Sequence, residues 1–165
     1  MTDFVIINED DFMKARKKIK ENSGKRIIFS SNDYELSRKI LERFGKDSSS
    51  TSFANSQSKE KIDAFLINLS GRKDRQKQRD SGFDHVMAKL AKKNNIVIGI
   101  NLDEIINSKG KTKAEILGRI RQNIKLLNKN KLNAEFIHKE DRDVYDLKAL
   151  GLVLGMPTWM TNQIR

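Results

Sequence analysis

The chain contains no cysteine, only two histidines (His85 and His138) and a single proline, Pro157. Without cysteine there is no disulfide, no thiolate zinc site and no cysteine nucleophile. Aromatic residues make up 7 % of the sequence, which leaves few rings on which the bases of a single strand could stack. No apolar run approaches the roughly 20 residues that a membrane span needs. Met1-Thr2-Asp3-Phe4-Val5 lacks the basic segment and apolar stretch of a signal peptide. A cytoplasmic protein with no membrane partner is therefore expected. There is also no Walker loop, no glycine-rich dinucleotide fingerprint and no nucleophile elbow.

What the chain has in excess is positive charge. Thirty-three Lys and Arg stand against 22 Asp and Glu, a formal net charge of +11. Such an excess attracts polyanions and speeds their capture, and nucleic acid is the commonest of these. The length of 165 residues suits one domain, so residues 1–165 are read as a single unit.

Apolar patterning alternates between two periods. Short β-branched runs at Phe4–Ile7, Ile27–Phe29, Ile62–Ile67, Ile96–Ile100 and Ala134–Ile137 read as strands. Between them lie helical patterns: Phe12, Ala15 and Ile19; Leu36, Ile40 and Phe44; Phe83, Val86, Met87, Leu90 and Ala91. Leu117, Ile120, Ile124 and Leu127 form the clearest helix, with Lys113, Arg119 and Lys125 on its other positions. Val144, Leu147, Leu150 and Leu154 form the last, closed by Gly155 and Pro157. Asn8, Asn32, the pair Ser81/Asp84, and Asp143 are the expected N-caps, and Gly45 an expected C-cap. Residues 46–58, with Ser48-Ser49-Ser50-Thr51-Ser52, read as a surface loop.

Strand–helix alternation of this kind predicts βαβ units and a mostly parallel sheet. The right-handed crossover rule then keeps the helices on one side while the strand order runs one way. Five units make either an open sheet or a small or incomplete barrel. The run Ile96-Val97-Ile98-Gly99-Ile100 does not alternate, so both its faces are expected to be covered, with Gly99 at a close packing point.

In parallel α/β folds the loops at the carboxyl ends of strands carry function. Arg72, Lys73, Arg75, Lys77 and Arg79 directly follow the third strand, in a stretch from Ser70 to Asp80 without an apolar residue. Guanidinium forks match phosphate oxygens, so the loop suits an RNA backbone. The bland alternative is a solvated charged loop; the net charge favours RNA. Tyr145 and Trp159 are expected to pack rather than to stack bases. A metal site would need several donors together. Asp103, Glu104, His138, Glu140, Asp141 and Asp143 all fall near strand ends, but Asp103 and Glu104 suit a helix N-terminus and Asp143 an N-cap. No catalytic and no metal-ligating residue is assigned.

Two segments resemble a known family. Arg79-Asp80-Ser81-Gly82-Phe83-Asp84-His85-Val86-Met87-Ala88-Lys89-Leu90-Ala91-Lys92-Lys93-Asn94, with the following strand, is similar to archaeal ribonuclease P protein component 3, itself related to the thirty-kilodalton subunit of the eukaryotic enzyme. Asp141-Arg142-Asp143-Val144-Tyr145-Asp146-Leu147-Lys148-Ala149-Leu150, ending in Leu154-Gly155-Met156, is similar to that family's C-terminal pattern, and Arg142 joins the RNA-binding set on this basis. Val144 stands where the family often has proline, and Ile137-His138-Lys139 replaces a Ser-containing strand end. The resemblance runs from about Ile62 to Met156.

It implies a TIM-barrel-like α/β fold, kin to metal-using phosphoesterases but without their metal-binding histidines. It also implies a subunit that pairs with protein component 2 and supports the ribonuclease P RNA. That RNA, using Mg²⁺ it holds itself, would remove the 5′ leader of precursor tRNA. The chain alone would be non-catalytic, bind no cofactor and meet precursor tRNA indirectly. A stand-alone metal-dependent phosphoesterase is the alternative.

Overall fold

β-Branched and aromatic residues favour extended chain where both faces can pack, and the five apolar runs all form strands. In the computed structural model, which describes residues 4–44, 61–74, 76, 77 and 79–164, these are β1 (Phe4–Asn8), β2 (Arg26–Ser30), β3 (Ala64–Ile67), β4 (Val97–Asn101) and β5 (Ala134–Ile137). The helices are α1 (Phe12–Glu21), α2 (Tyr34–Arg43), α3 (His85–Lys93), α4 (Leu102–Asn107), α5 (Gly110–Asn130), α6 (Val144–Leu154) and α7 (Thr158–Thr161). The Ser-rich segment 46–58, Gly45 and Arg75 lie outside the described residues. No described helix is long and apolar enough to cross a membrane.

The sheet runs β1-β2-β3-β4-β5, and every pair is parallel. Winding in one direction is what a barrel requires; a doubly wound sheet would reverse its order midway. Among the described residues β1 and β5 do not pair, so the TIM-barrel-like fold is an incomplete barrel. Its curl is nevertheless tight. The guanidinium of Arg26, on β2, reaches across the concave side to the carboxylate of Glu135, on β5.

Alternation along each strand separates two cores. Ile7, Ile27, Phe29, Phe65, Ile67, Ile98, Ile100, Ala134 and Phe136 point outward beneath the helices. Phe29 and Phe65 stack there with centroids 6.4 Å apart. Ile28, Ala64, Leu66 and Ile137 form the smaller cluster inside the curve. Both faces of β4 are covered, as its unbroken apolar run implies. A β-carbon at Gly99 would stand 3.0 Å from Ile137 Cγ1 and 3.2 Å from Leu66 Cδ1, so the glycine is a packing requirement.

Helix starts differ from expectation by a few residues, for a physical reason. Asn8 is still paired with Ser30 in the sheet, so α1 begins later, with the Asp11 carboxylate accepting from Lys14 N at 2.9 Å. At α2 the cap is Asp33, which accepts from Leu36 N, and not Asn32. Asp84 caps α3 by itself, accepting from Val86 N and Met87 N, while the Ser81 hydroxyl donates to the Phe83 carbonyl. Asp143 and Gly155 bracket α6 as read from the sequence.

Replacing Gly99 with Val should therefore overpack the inner cluster and cost about 1–3 kcal/mol. The midpoint of urea unfolding would report it, and an unchanged midpoint would show that the strands have room to separate.

Candidate nucleic-acid interface

Chain leaving β3 must turn back toward α3, and its polar backbone needs partners. Two side chains from other elements supply them. Glu104 lies in the first turn of α4, whose N-cap Asn101 accepts from Glu104 N at 3.1 Å. Its carboxylate accepts from Leu69 N at 3.1 Å and from Ser70 N. Arg119 projects from the buried side of α5. Its Nη1 donates to the Leu69 carbonyl at 3.1 Å, and its Nη2 donates to the Arg72 carbonyl and to Asp74 Oδ1, both at 2.9 Å. One guanidinium thus braces three points of the loop while remaining only 2 % exposed.

The loop closes on itself as well. Asp74 also accepts from Asp80 N at 3.0 Å, and Asp80 accepts from Gly82 N at 2.9 Å. Arg72 donates from Nε to the Asn68 carbonyl at 2.6 Å, with Nη1 3.8 Å from Asp80. Its guanidinium fills the space beside Gly82, whose φ of +65° is left-handed and whose missing side chain gives the room. Asn68 donates from its amide to Ser30 Oγ at 2.8 Å, tying the loop to the end of β2.

These contacts set the electrostatics. The Arg119 hydrogen bonds, first, and that from Asp80 N hold the Asp74 carboxyl below its ordinary 3.8. Burial lowers the Arg72 pKa, opposed by the attraction of Asp80.

The sequence-assigned cations consequently separate into groups. Arg72 is largely enclosed and serves the loop. Lys73 and Lys77 are exposed. Arg79 is exposed too, but lies against α5, where a β-carbon on Gly118 would meet its Nη1. Arg142 comes from the end of β5, separated from this loop by β4, and donates to Glu140 at 2.6 Å. Lys73 and Lys77 are thus exposed on the braced loop, and Arg142 stands apart.

Sequence patterning puts Arg119 on an outer position of its helix, and the structure reverses this. The buried row of α5 is Ile116, Arg119, Ile120, Asn123, Ile124 and Leu127. An arginine in register with that row is the available signal. Tyr145 is a second correction: it is 80 % exposed, because the core-facing side of α6 is taken by Leu147, Gly151 and Leu154. Trp159 does pack, with Nε1 donating to Asn128 Oδ1 at 3.3 Å and the Lys131 ammonium above its ring.

Four of the six donors weighed for a metal are committed elsewhere. Glu104 holds the loop, Asp143 caps α6, Glu140 pairs with Arg142, and His138 Nδ1 donates to the Glu140 carbonyl. Among the described residues no group of three or more His, Asp or Glu could hold a metal ion.

Known proteins are similar to this chain in sequence, and one solved chain is similar in fold. The chain is 24 % identical over 157 residues to the ribonuclease P protein component 3 of Methanococcus maripaludis strain C7, covering 95 % of this chain and 57 % of that protein. It is 26 % identical over 157 residues to that of Methanococcus vannielii, covering 95 % and 58 %. It also superposes on a chain of an archaeal ribonuclease P solved with mature tRNA by cryo-electron microscopy, with a TM-score of 0.69 and 23 % identity over 95 % of this chain and 62 % of the other. Over nearly all of its length this chain is similar to ribonuclease P protein component 3.

No family model matches it. The chain spans a little over half the length of the component 3 proteins it matches. The first segment that resembles component 3, Arg79 to Asn94, forms the end of the braced loop and α3; the second, from Asp141, opens α6.

Replacing Arg119 with Met should leave the Leu69 and Arg72 carbonyls without their partner, at about 1–3 kcal/mol for each group left unsatisfied in a buried place, and should also release the exposed Asp74 carboxylate. Chemical denaturation would measure the loss. Lys at this position should restore little of it, since one ammonium cannot span the three acceptors. The Asp74 contribution has a defined pH dependence. A carboxylate with a depressed folded pKa stabilises fully above its unfolded pKa of about 3.9 and loses that effect as pH falls through the folded value. The stability gap between the wild type and Asp74→Asn should stay flat from neutral pH to about 5 and narrow below about 4. A gap that does not change with pH would remove Asp74 from the brace.

Proposed function

We propose that this chain is a protein subunit of ribonuclease P, the ribonucleoprotein that removes the 5′ leader from precursor tRNA. The observation that carries the reading is its likeness, over 95 % of its length, to proteins called ribonuclease P protein component 3. The physical means is the loop after β3, held by Arg119 and Glu104, which offers Lys73 and Lys77 to a phosphate backbone. Arg75 and Arg79 extend the same charged run in sequence, and Arg142 adds a cation near the end of β5. The net charge of +11 draws RNA toward these groups.

In this reading the chain breaks no bond. Its cations lower the repulsion between folded RNA segments, so that the active RNA conformation forms at lower Mg²⁺. The RNA holds the Mg²⁺ and performs the hydrolysis, and precursor tRNA is met indirectly. Ribonuclease P RNA, protein component 2 and further protein subunits are the expected partners, in the cytoplasm. Aromatic scarcity fits recognition of backbone shape and charge and not of base sequence.

Arg72 belongs to the frame, and its removal would disturb the loop itself. Lys73→Ala/Lys77→Ala removes exposed charge and leaves the brace intact. Binding of ribonuclease P RNA, followed by filter retention across a salt series, should weaken in this double variant. The slope of log affinity against log salt should become shallower by about 0.7–0.9 for each phosphate that is no longer neutralised. Thermal stability should be unchanged. Equal slopes for the variant and the wild type would show that RNA, if bound at all, is held elsewhere.

A further inference from the structure

Helix α6 carries only two charged residues, Asp146 and Lys148, and its apolar side chains are not confined to the core-facing side. Leu147, Gly151 and Leu154 face the core, yet Tyr145, Leu152 and Val153 are 80 %, 54 % and 69 % exposed on its other sides. A helix that covers an α/β sheet normally turns a polar face to water; this one presents Tyr145 and Leu152 seven residues apart, on a common side. Beside it, α5 and α6 enclose a groove of about 650 Å³. Its floor is aliphatic, with Leu117, Leu150 and Val153, and its rim carries Arg79, Arg121 and Lys125. No acidic side chain lines it. Arg121 Nη2 reaches the Val153 carbonyl at 3.3 Å, which stations one cation across the groove. Gly118 has a local purpose here: without a side chain it leaves the space that the Arg79 guanidinium occupies.

We propose that this groove and the adjoining face of α6 dock an acidic amphipathic helix of a partner protein. An aliphatic floor calls for aliphatic or aromatic side chains, and three rim cations with no anion among them call for carboxylates. A nucleic acid strand meets only the second demand, since no ring in the groove offers a base a stacking surface. The assignment does not depend on RNA binding by Lys73 and Lys77, because the floor and two of the three rim cations belong to α5 and α6.

The test uses the full chain and a fluorescein-labelled synthetic helix of about 18 residues, rich in Glu, with Leu on one face. A matched peptide with Ser in place of Leu and an oligouridylate serve as the other probes, all read by fluorescence anisotropy. The leucine peptide should bind in the micromolar range. Val153→Asp and Arg121→Glu, both solvent-facing changes that leave the circular dichroism spectrum intact, should each weaken it about tenfold, close to 1.4 kcal/mol. Four results would overturn the proposal: no binding of the leucine peptide, equal binding of the serine peptide, an oligouridylate affinity that Val153→Asp abolishes, or a wild-type dimer that Val153→Asp converts to monomer.

Discussion

One guanidinium organises the working end of this protein. Arg119 enters from the covered side of α5 and satisfies backbone carbonyls at Leu69 and Arg72 together with the Asp74 carboxylate. A loop of this composition, with five cations between Arg72 and Arg79, would otherwise repel itself into an extended, solvated chain. Enclosure of Arg119 makes the arrangement all-or-none. A buried charge must keep its partners, so Arg119 fixes the positions of Leu69, Arg72 and Asp74, while Lys73 and Lys77 are exposed. Glu104 supplies the opposite pole on the other side of Leu69. The loop is thereby tied to α4 and α5, the two helices that join β4 to β5.

The sheet decides where this loop stands. Each strand pairs with the next in sequence and runs parallel to it, so all the carboxyl ends collect at one edge. The curl brings Arg26 against Glu135 near the opposite, amino-terminal ends of β2 and β5. Gly99 lies inside the curl, where an added β-carbon would stand 3.0 Å from Ile137 Cγ1 and 3.2 Å from Leu66 Cδ1.

Much of this is legible in the residues. The five β-branched runs, the helical apolar rows and the signals at Asp143 and Gly155 specify the order of elements, because local pattern and tertiary burial agree there. Caps are less legible at Asn8 and Asn32, where the sheet claims the residue or a neighbouring aspartate takes the role. The candidate site is half legible. A basic run after the third strand marks the place, but its division into frame and contact depends on which side chains find a carbonyl or carboxylate across the fold. Nothing local distinguishes Arg72 from Lys73. The register of Arg119 with Ile116, Ile120 and Ile124 is visible; the acceptors that make burial tolerable are not. Tyr145 misleads for the converse reason, since an apolar residue on an apolar helix does not reveal which face the core takes.

The proposed function rests on a division of labour in which the polypeptide would hold and RNA would cut. Reconstitution with ribonuclease P RNA and labelled precursor tRNA, titrated with Mg²⁺ in the presence and absence of this chain and its partner subunits, measures that division directly. The chain alone should leave precursor tRNA intact, and adding it to the RNA and the other subunits should lower the Mg²⁺ needed for release of the 5′ leader. Cleavage by the isolated chain, or a Mg²⁺ requirement indifferent to its presence, would contradict this division.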